Sequence, residues 1–192
     1  MVVDERVSAR QVRWLPLAAV LVVIAFLAGG WWWISSRFGN DEAVAAGSVL
    51  RIGPDQQASV TVAGDGWRLK KSTTDPDQSY NLARGELDVV VTYVPLLSPD
   101  DADELWSGLQ DVVATLGGTA GPAQTVHTTG GQPGQSGPVT LDGKTGTAYA
   151  FPAPDRKFAI EVQALAPSGV SATDRQPAEQ TVLSLTFHQD GS

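Results

Sequence analysis

The chain has no cysteine among its 192 residues. That excludes a disulfide framework, a thiolate metal site and a cysteine nucleophile. Histidine is nearly absent: His127 and His188 are the only two, so a Ser–His–Asp arrangement has to be built on one of them. Basic residues are also scarce, with 13 Lys+Arg against 21 Asp+Glu. Residues 39–192 hold nine of the former and nineteen of the latter, a formal charge of −10. This balance lacks the basic face that displaces counterions from nucleic acid, and it disfavours docking on an anionic bilayer. Long apolar runs are missing as well, with a single exception.

The exception is Trp14–Ile34, 21 uncharged residues fenced by Arg13 and Arg37. As a helix it would be roughly 32 Å long, enough for a hydrocarbon core of about 30 Å. Arg6, Arg10 and Arg13 precede it, and the Lys/Arg bias places the N-terminus in the cytoplasm. Trp14 at one end and Trp31, Trp32 and Trp33 at the other read as membrane-interface residues at headgroup depth. The organisation expected is a cytoplasmic tail (1–13), a transmembrane helix (14–36), a tether (37–47) and one extracytoplasmic domain (48–192). The protein is accordingly placed in the cell membrane as a single-pass chain, with its C-terminal domain outside. A cleaved signal peptide is the competing reading, but the run exceeds the usual apolar stretch of 7–15 residues. The cleavage-like triplet Ala43-Val44-Ala45 lies well beyond the Trp cluster. Leu27-Ala28-Gly29 resembles the start of a lipoprotein box, yet Gly30 stands where cysteine would be acylated.

From Ser48 the pattern is one of strands: Val49–Ile52, Ala58–Ala63, Trp67–Lys70, Tyr80–Ala83 and Leu87–Val94. The continuous apolar middle of Leu87–Val94 predicts a central strand covered on both faces. Ser98-Pro99-Asp100-Asp101 opens a helix, with Ser98 as cap and Pro99 as first residue. Leu105, Leu109, Val112, Val113 and Leu116 form its apolar face, Trp106 lies near the edge of that face, and Gly117 ends it. Residues 117–138 read mostly as loop with a strand near Gln124–Thr128, and the Gly130–Gly137 stretch as mobile. Asp142-Gly143 predicts a tight hairpin between Val139–Leu141 and Thr147–Phe151. Phe158–Leu165 is a further strand, and a helix begins at Asp174-Arg175-Gln176-Pro177 and runs to about Ser184, with Val182, Leu183 and Leu185 buried. This order gives an α+β fold, a mainly antiparallel sheet flanked by helices.

No motif develops into a catalytic constellation. Gly143-Lys144-Thr145 lacks the earlier glycine of a phosphate loop, since position 138 is Pro, and it lies in a hairpin. Lys144-Thr145-Gly146 matches a β-lactamase triad without the accompanying Ser-x-x-Lys and Ser-Asp-Asn. Gly134-Gln135-Ser136-Gly137 runs into Pro138 where a nucleophile elbow needs glycine. Asp100, Asp101, Asp103 and Glu104 read as a solvated helix start rather than a Ca²⁺ site, and Asp75 and Asp77 as loop acids. Trp67 reads as a core or rim aromatic. No cofactor, metal site or catalytic residue is expected, and the chain is read as not an enzyme.

The run Ser59-Val60-Thr61-Val62 to Gly66-Trp67, the strand Leu87–Val94 and the Ser-Pro-opened helix around Glu104–Leu116 resemble the opening of Mog1/PsbP-like domains. The Gly143 hairpin, Phe158–Leu165 and a last helix entering Leu183-Ser184-Leu185-Thr186-Phe187 continue the likeness, so that it spans about Val49–Phe187. The resemblance implies a central antiparallel sheet between helices and a role in contacting proteins or assisting a membrane complex. It also implies kinship with domains of actinobacterial envelope proteins, although those carry a lipidated cysteine. The function expected is a non-catalytic, membrane-anchored extracytoplasmic module that binds or assembles proteins. The alternative is an envelope protein that binds lipid or a small ligand.

Overall fold

A computed structural model describes residues 41–188. The chain divides into two units, Met1–Gly39 and Asn40–Ser192, and everything described belongs to the second. The run Trp14–Ile34, with Trp14, Trp31, Trp32 and Trp33, lies outside the described residues. No helix among those described is long and apolar enough to cross a membrane.

The elements are β1 (Asp41–Val44), β2 (Val49–Ile52), β3 (Ala58–Thr61), β4 (Trp67–Lys70), β5 (Ser79–Arg84) and β6 (Leu87–Pro95). Helix α1 (Asp101–Thr115) follows, then β7 (Thr119–Ala120), β8 (Gln124–His127), β9 (Pro133–Leu141), β10 (Lys144–Pro152) and β11 (Phe158–Ala166). Helix α2 (Ala172–Leu183) and β12 (Thr186–Phe187) close the domain. The large sheet runs β1-β4-β5-β6-β11-β10-β9-β7, with β8 also on β9, and its pairings are antiparallel. A second sheet has the order β12-β3-β2. The fold is thus a mostly antiparallel α+β arrangement with two helices among the described residues.

Alternation along the strands sorts side chains between two apolar layers. Trp67, Leu82, Leu87, Val89, Val91, Tyr149, Phe151, Ile160 and Val162 face inward, toward the small sheet and the Ala178/Val182 face of α2. On the outer face, Leu105, Trp106, Leu109 and Val113 of α1 cover Val139, Ala148, Ala150 and Ala159. Trp67 belongs to the inner core, where its indole N–H donates to the Ala63 carbonyl at 2.8 Å.

The hairpin predicted at Asp142-Gly143 is present, and both residues take positive φ (51° and 73°) as a type I′ turn requires. Other expectations need correction. Gly130–Gly137 is not a mobile loop, because Pro133 already begins β9. Gly134 lies beneath Phe151 and Gly137 beneath Trp106, so these glycines serve close approach instead of flexibility. On α1, Val112 and Leu116 are exposed (57% and 47%) while Trp106 is buried (6%), because Trp106 turns the buried stripe to positions 102, 105, 106, 109 and 113.

Helix α1 begins at Asp101, two residues after the expected Pro99. Its opening is fixed by the Asp101 carboxylate, which accepts from the Leu97 and Ser98 N–H groups, while the Ser98 hydroxyl accepts from Asp100 N–H. Helix α2 starts at Ala172, ahead of the expected Asp174, because Ser171 caps it through the Asp174 N–H. Strand β1 occupies residues read as tether, with Val44 opposite Trp67.

Candidate binding surface

Strand β6 is interior, as expected, but among the described residues only one of its faces is covered. Leu87, Val89 and Val91 are buried, whereas Asp88, Val90 and Thr92 on the outer face stay half-buried. Helix α1 lies over β9, β10 and the near side of β11. Among the described residues no helix packs on the outer face of β4, β5 and β6.

The strand register defines this surface. One row runs Ser79, Thr92, Glu161, Ala150; the next Asn81, Val90, Gln163, Ala148; the third Ala83, Asp88, Leu165, Gly146. Ala150 and Ala148 end their rows beneath α1, so the open floor is the β5, β6 and β11 part of these rows, mixed in polarity, with α1 as a wall along one side. Flat ground bordered by a wall suits a strand or helix of another protein better than it suits a small molecule.

Two charged features differ sharply. The Asp88 carboxylate is held by Lys70 Nζ at 2.5 Å and by Lys144 Nζ. Burial, the largest single influence, would raise its pKa, but the hydrogen bonds and positive charges of Lys144 and Lys70 together outweigh it and hold the carboxyl below its ordinary range. Glu161 has no such partner. Burial pushes its carboxyl up, and no hydrogen bond or ion pair to a described residue opposes the shift.

A group whose pKa is raised on folding adds stability at low pH, and that stability is lost as pH climbs from the unfolded toward the folded value. Replacing Glu161 with the neutral Gln is therefore expected to raise stability at pH 7 by about 1 kcal/mol, or roughly 3 °C in Tm. The gain should vanish near pH 3, where both side chains are neutral. Thermal unfolding of both proteins across that range checks it, and a pH-independent difference would contradict it.

A second feature is a cleft of about 270 Å³ where the two sheets meet, lined by Gln57, Ala153, Pro154, Asp155, Lys157, Phe158, Phe187 and His188. Phe158 stacks on Tyr93 at 5.0 Å and meets Phe187 at 5.6 Å. Ser59 Oγ and His188 Nε2 share a hydrogen bond of 2.8 Å, and the backbone N–H of His188 donates to the Gln57 carbonyl. This contact joins β12 to β3. Ser59 is 7% exposed, and no carboxylate bonds to His188 among the described residues. A nucleophile needs access to substrate, and Ser59 is nearly sealed from solvent.

The remaining sequence candidates disperse. His127 is exposed on β8. Gly134-Gln135-Ser136-Gly137 lies in β9, and Lys144 is tied to Asp88. Asp75 accepts from Asp77 N–H within its turn. Among the described residues no three His, Asp or Glu side chains converge to hold a metal ion. Phe158–Leu165 reads as plain alternation, which by itself gives Glu161 no distinction in the sequence. The available signal was a carboxylate in the middle of an otherwise apolar strand.

No family model and no curated protein matches the sequence. Among solved structures the chain is similar to the cyanobacterial PsbP of Synechocystis sp. PCC 6803, at 13% identity and a TM-score of 0.49 over 79% of this chain and 99% of that one. It is also similar to the Ran-binding protein Mog1p of Saccharomyces cerevisiae, at 11% identity and a TM-score of 0.48 over 77% and 95%. A third likeness, at 16% identity and a TM-score of 0.48, is to a Bacteroides thetaiotaomicron protein, of which the chain spans 51% while 77% of this chain is covered.

Proposed function

We propose that this chain is a non-catalytic, membrane-anchored extracytoplasmic module that binds another protein through the outer face of its large sheet. The observation that carries the reading is the half-covered sheet: α1 packs on one side of the outer face and leaves β4–β6 without a covering element among the described residues. The run Trp14–Ile34 supplies the anchor. Pairing of Val44 with Trp67 supports an uncleaved N-terminus, since cleavage after Ala45 would remove β1.

The small-ligand alternative draws on the cleft beside Phe158 and Phe187. At about 270 Å³ it falls below the ~300–1,000 Å³ usual for ligand sites, and its charged rim is ill suited to an acyl chain. A larger hollow of about 470 Å³ is edged by Asp65, Arg84, Glu86 and Asp174 and is still less suited to lipid.

The test is affinity purification of the full-length chain in mild detergent, with both proteins and lipids scored by mass spectrometry. A stoichiometric membrane-protein partner is expected. Enriched lipid without a protein would transfer the function to the cleft.

A further inference from the structure

Resting on that reading, we infer that the outer sheet face receives a protein segment whose Lys or Arg side chain pairs with Glu161. Glu161 stands on β11 between Thr92 of β6 and Ala150 of β10, with Ala159 and Gln163 on either side along its own strand. Of the two carboxylates in the floor of this face, Asp88 and Glu161, it is the one without a cation among the described residues. Lys70 and Lys144 are both committed to Asp88, four residues along β6 from Thr92, or about 13 Å away. That distance exceeds both ion-pair reach and the Debye length of about 8 Å at physiological salt.

A carboxylate drawn partly out of water without a partner is unfavourable, and glutamine would fill the same space at no electrostatic cost. A cation delivered from outside reverses the sign. It meets a group already desolvated on the side where α1 covers Ala150 and Ala159, and approaches it from the open β6 side past Thr92. Guanidinium or ammonium is the matching chemistry, and guanidinium can also take both carboxylate oxygens at once. The same segment, lying along β6, reaches Lys70 and Lys144 about 13 Å further on. There an acidic side chain of the segment finds two ammonium groups sharing one carboxylate. The occupant is thus a strand or helix with a basic residue at one end and an acidic residue at the other. The formal −10 of residues 39–192 attracts the basic end from a distance.

The experiment is photocrosslinking from this face in intact cells, using the full-length chain with Val90→benzoylphenylalanine and sequencing the adduct by mass spectrometry. The expected adduct is a protein peptide with Lys or Arg close to the attachment point, and its yield falls at least tenfold when Glu161→Gln is added. Glu161→Lys should abolish it, and reversing the partner's basic residue to Glu should restore it. The Tm of the Glu161→Gln chain at pH 7, expected to be no lower than that of the parent, separates lost binding from lost folding. A protein adduct that lacks a basic residue, survives Glu161→Gln unchanged or fails the charge exchange overturns the pairing and leaves the binding face standing. No adduct, or a lipid adduct, removes both.

Discussion

Gly134→Ala is expected to cost about 3 kcal/mol and to lower Tm by roughly 10 °C. An added Cβ at position 134 would stand 2.3 Å from Phe151 Cδ1, 2.7 Å from Phe151 Cε1 and 2.7 Å from the Ala150 carbonyl oxygen. Phe151 is fully buried, and Ala150 is fixed opposite Gln135 in the β9–β10 ladder. Neither can yield without moving the core or the sheet. Gly130→Ala is the control: its added Cβ would find its nearest neighbour, Thr128 Oγ1, at 3.8 Å, so the change should stay within about 0.5 kcal/mol. Denaturant unfolding followed by tryptophan fluorescence distinguishes them. If residues 130–137 were a mobile loop, both alanines would be neutral or slightly stabilising through lower entropy of the unfolded chain. Equal midpoints for the two variants would therefore refute the buried strand.

That contrast shows where the sequence was legible. The Asp142-Gly143 turn could be read because its chemistry is local: two positive φ angles demand those residue types. The Val49–Ile52 and Trp67–Lys70 strands were legible for the same reason, since alternation is carried by neighbours in the chain. Gly134 and Gly137 were not. A glycine that permits flexibility and one that permits close packing look alike until the residue across the interface is known, and here Phe151 and Trp106 decide it. The phase of α1 failed similarly, because Val112 and Leu116 are as apolar as Leu109 and only Trp106's seat over Gly137 selects the buried side. The proposed binding face was hidden because coverage is a non-local property. The apolar middle of Leu87–Val94 predicts burial on both faces, whereas α1 reaches only the β9–β11 side. Glu161 stands out only through its lack of a partner among the described residues.

Trp106→Ala should have the other large effect, about 4 kcal/mol of lost stability, because the indole joins α1 to the sheet. Its N–H donates to the Gly121 carbonyl at 3.1 Å, and its ring occupies the place where a Gly137 side chain would be. Gly137→Ala alone should cost about 2 kcal/mol, since the new Cβ would lie 2.6 Å from Trp106 Cζ2 and 2.7 Å from the Pro122 carbonyl oxygen. Together the two changes should cost at least about 1 kcal/mol less than their sum, as removing the indole relieves one of the two clashes. The Pro122 contact remains, so the relief is incomplete. Strict additivity in the cycle would mean that Trp106 does not rest on Gly137. The same variants bear on binding, because α1 is the wall beside Glu161. Trp106→Ala loosens that wall without touching the carboxylate, so crosslinking from position 90 should weaken while Glu161→Gln retains its stabilising effect at pH 7. Loss of that stabilising effect in Trp106→Ala would show instead that α1 is what keeps Glu161 from water, making the wall and the charge a single unit.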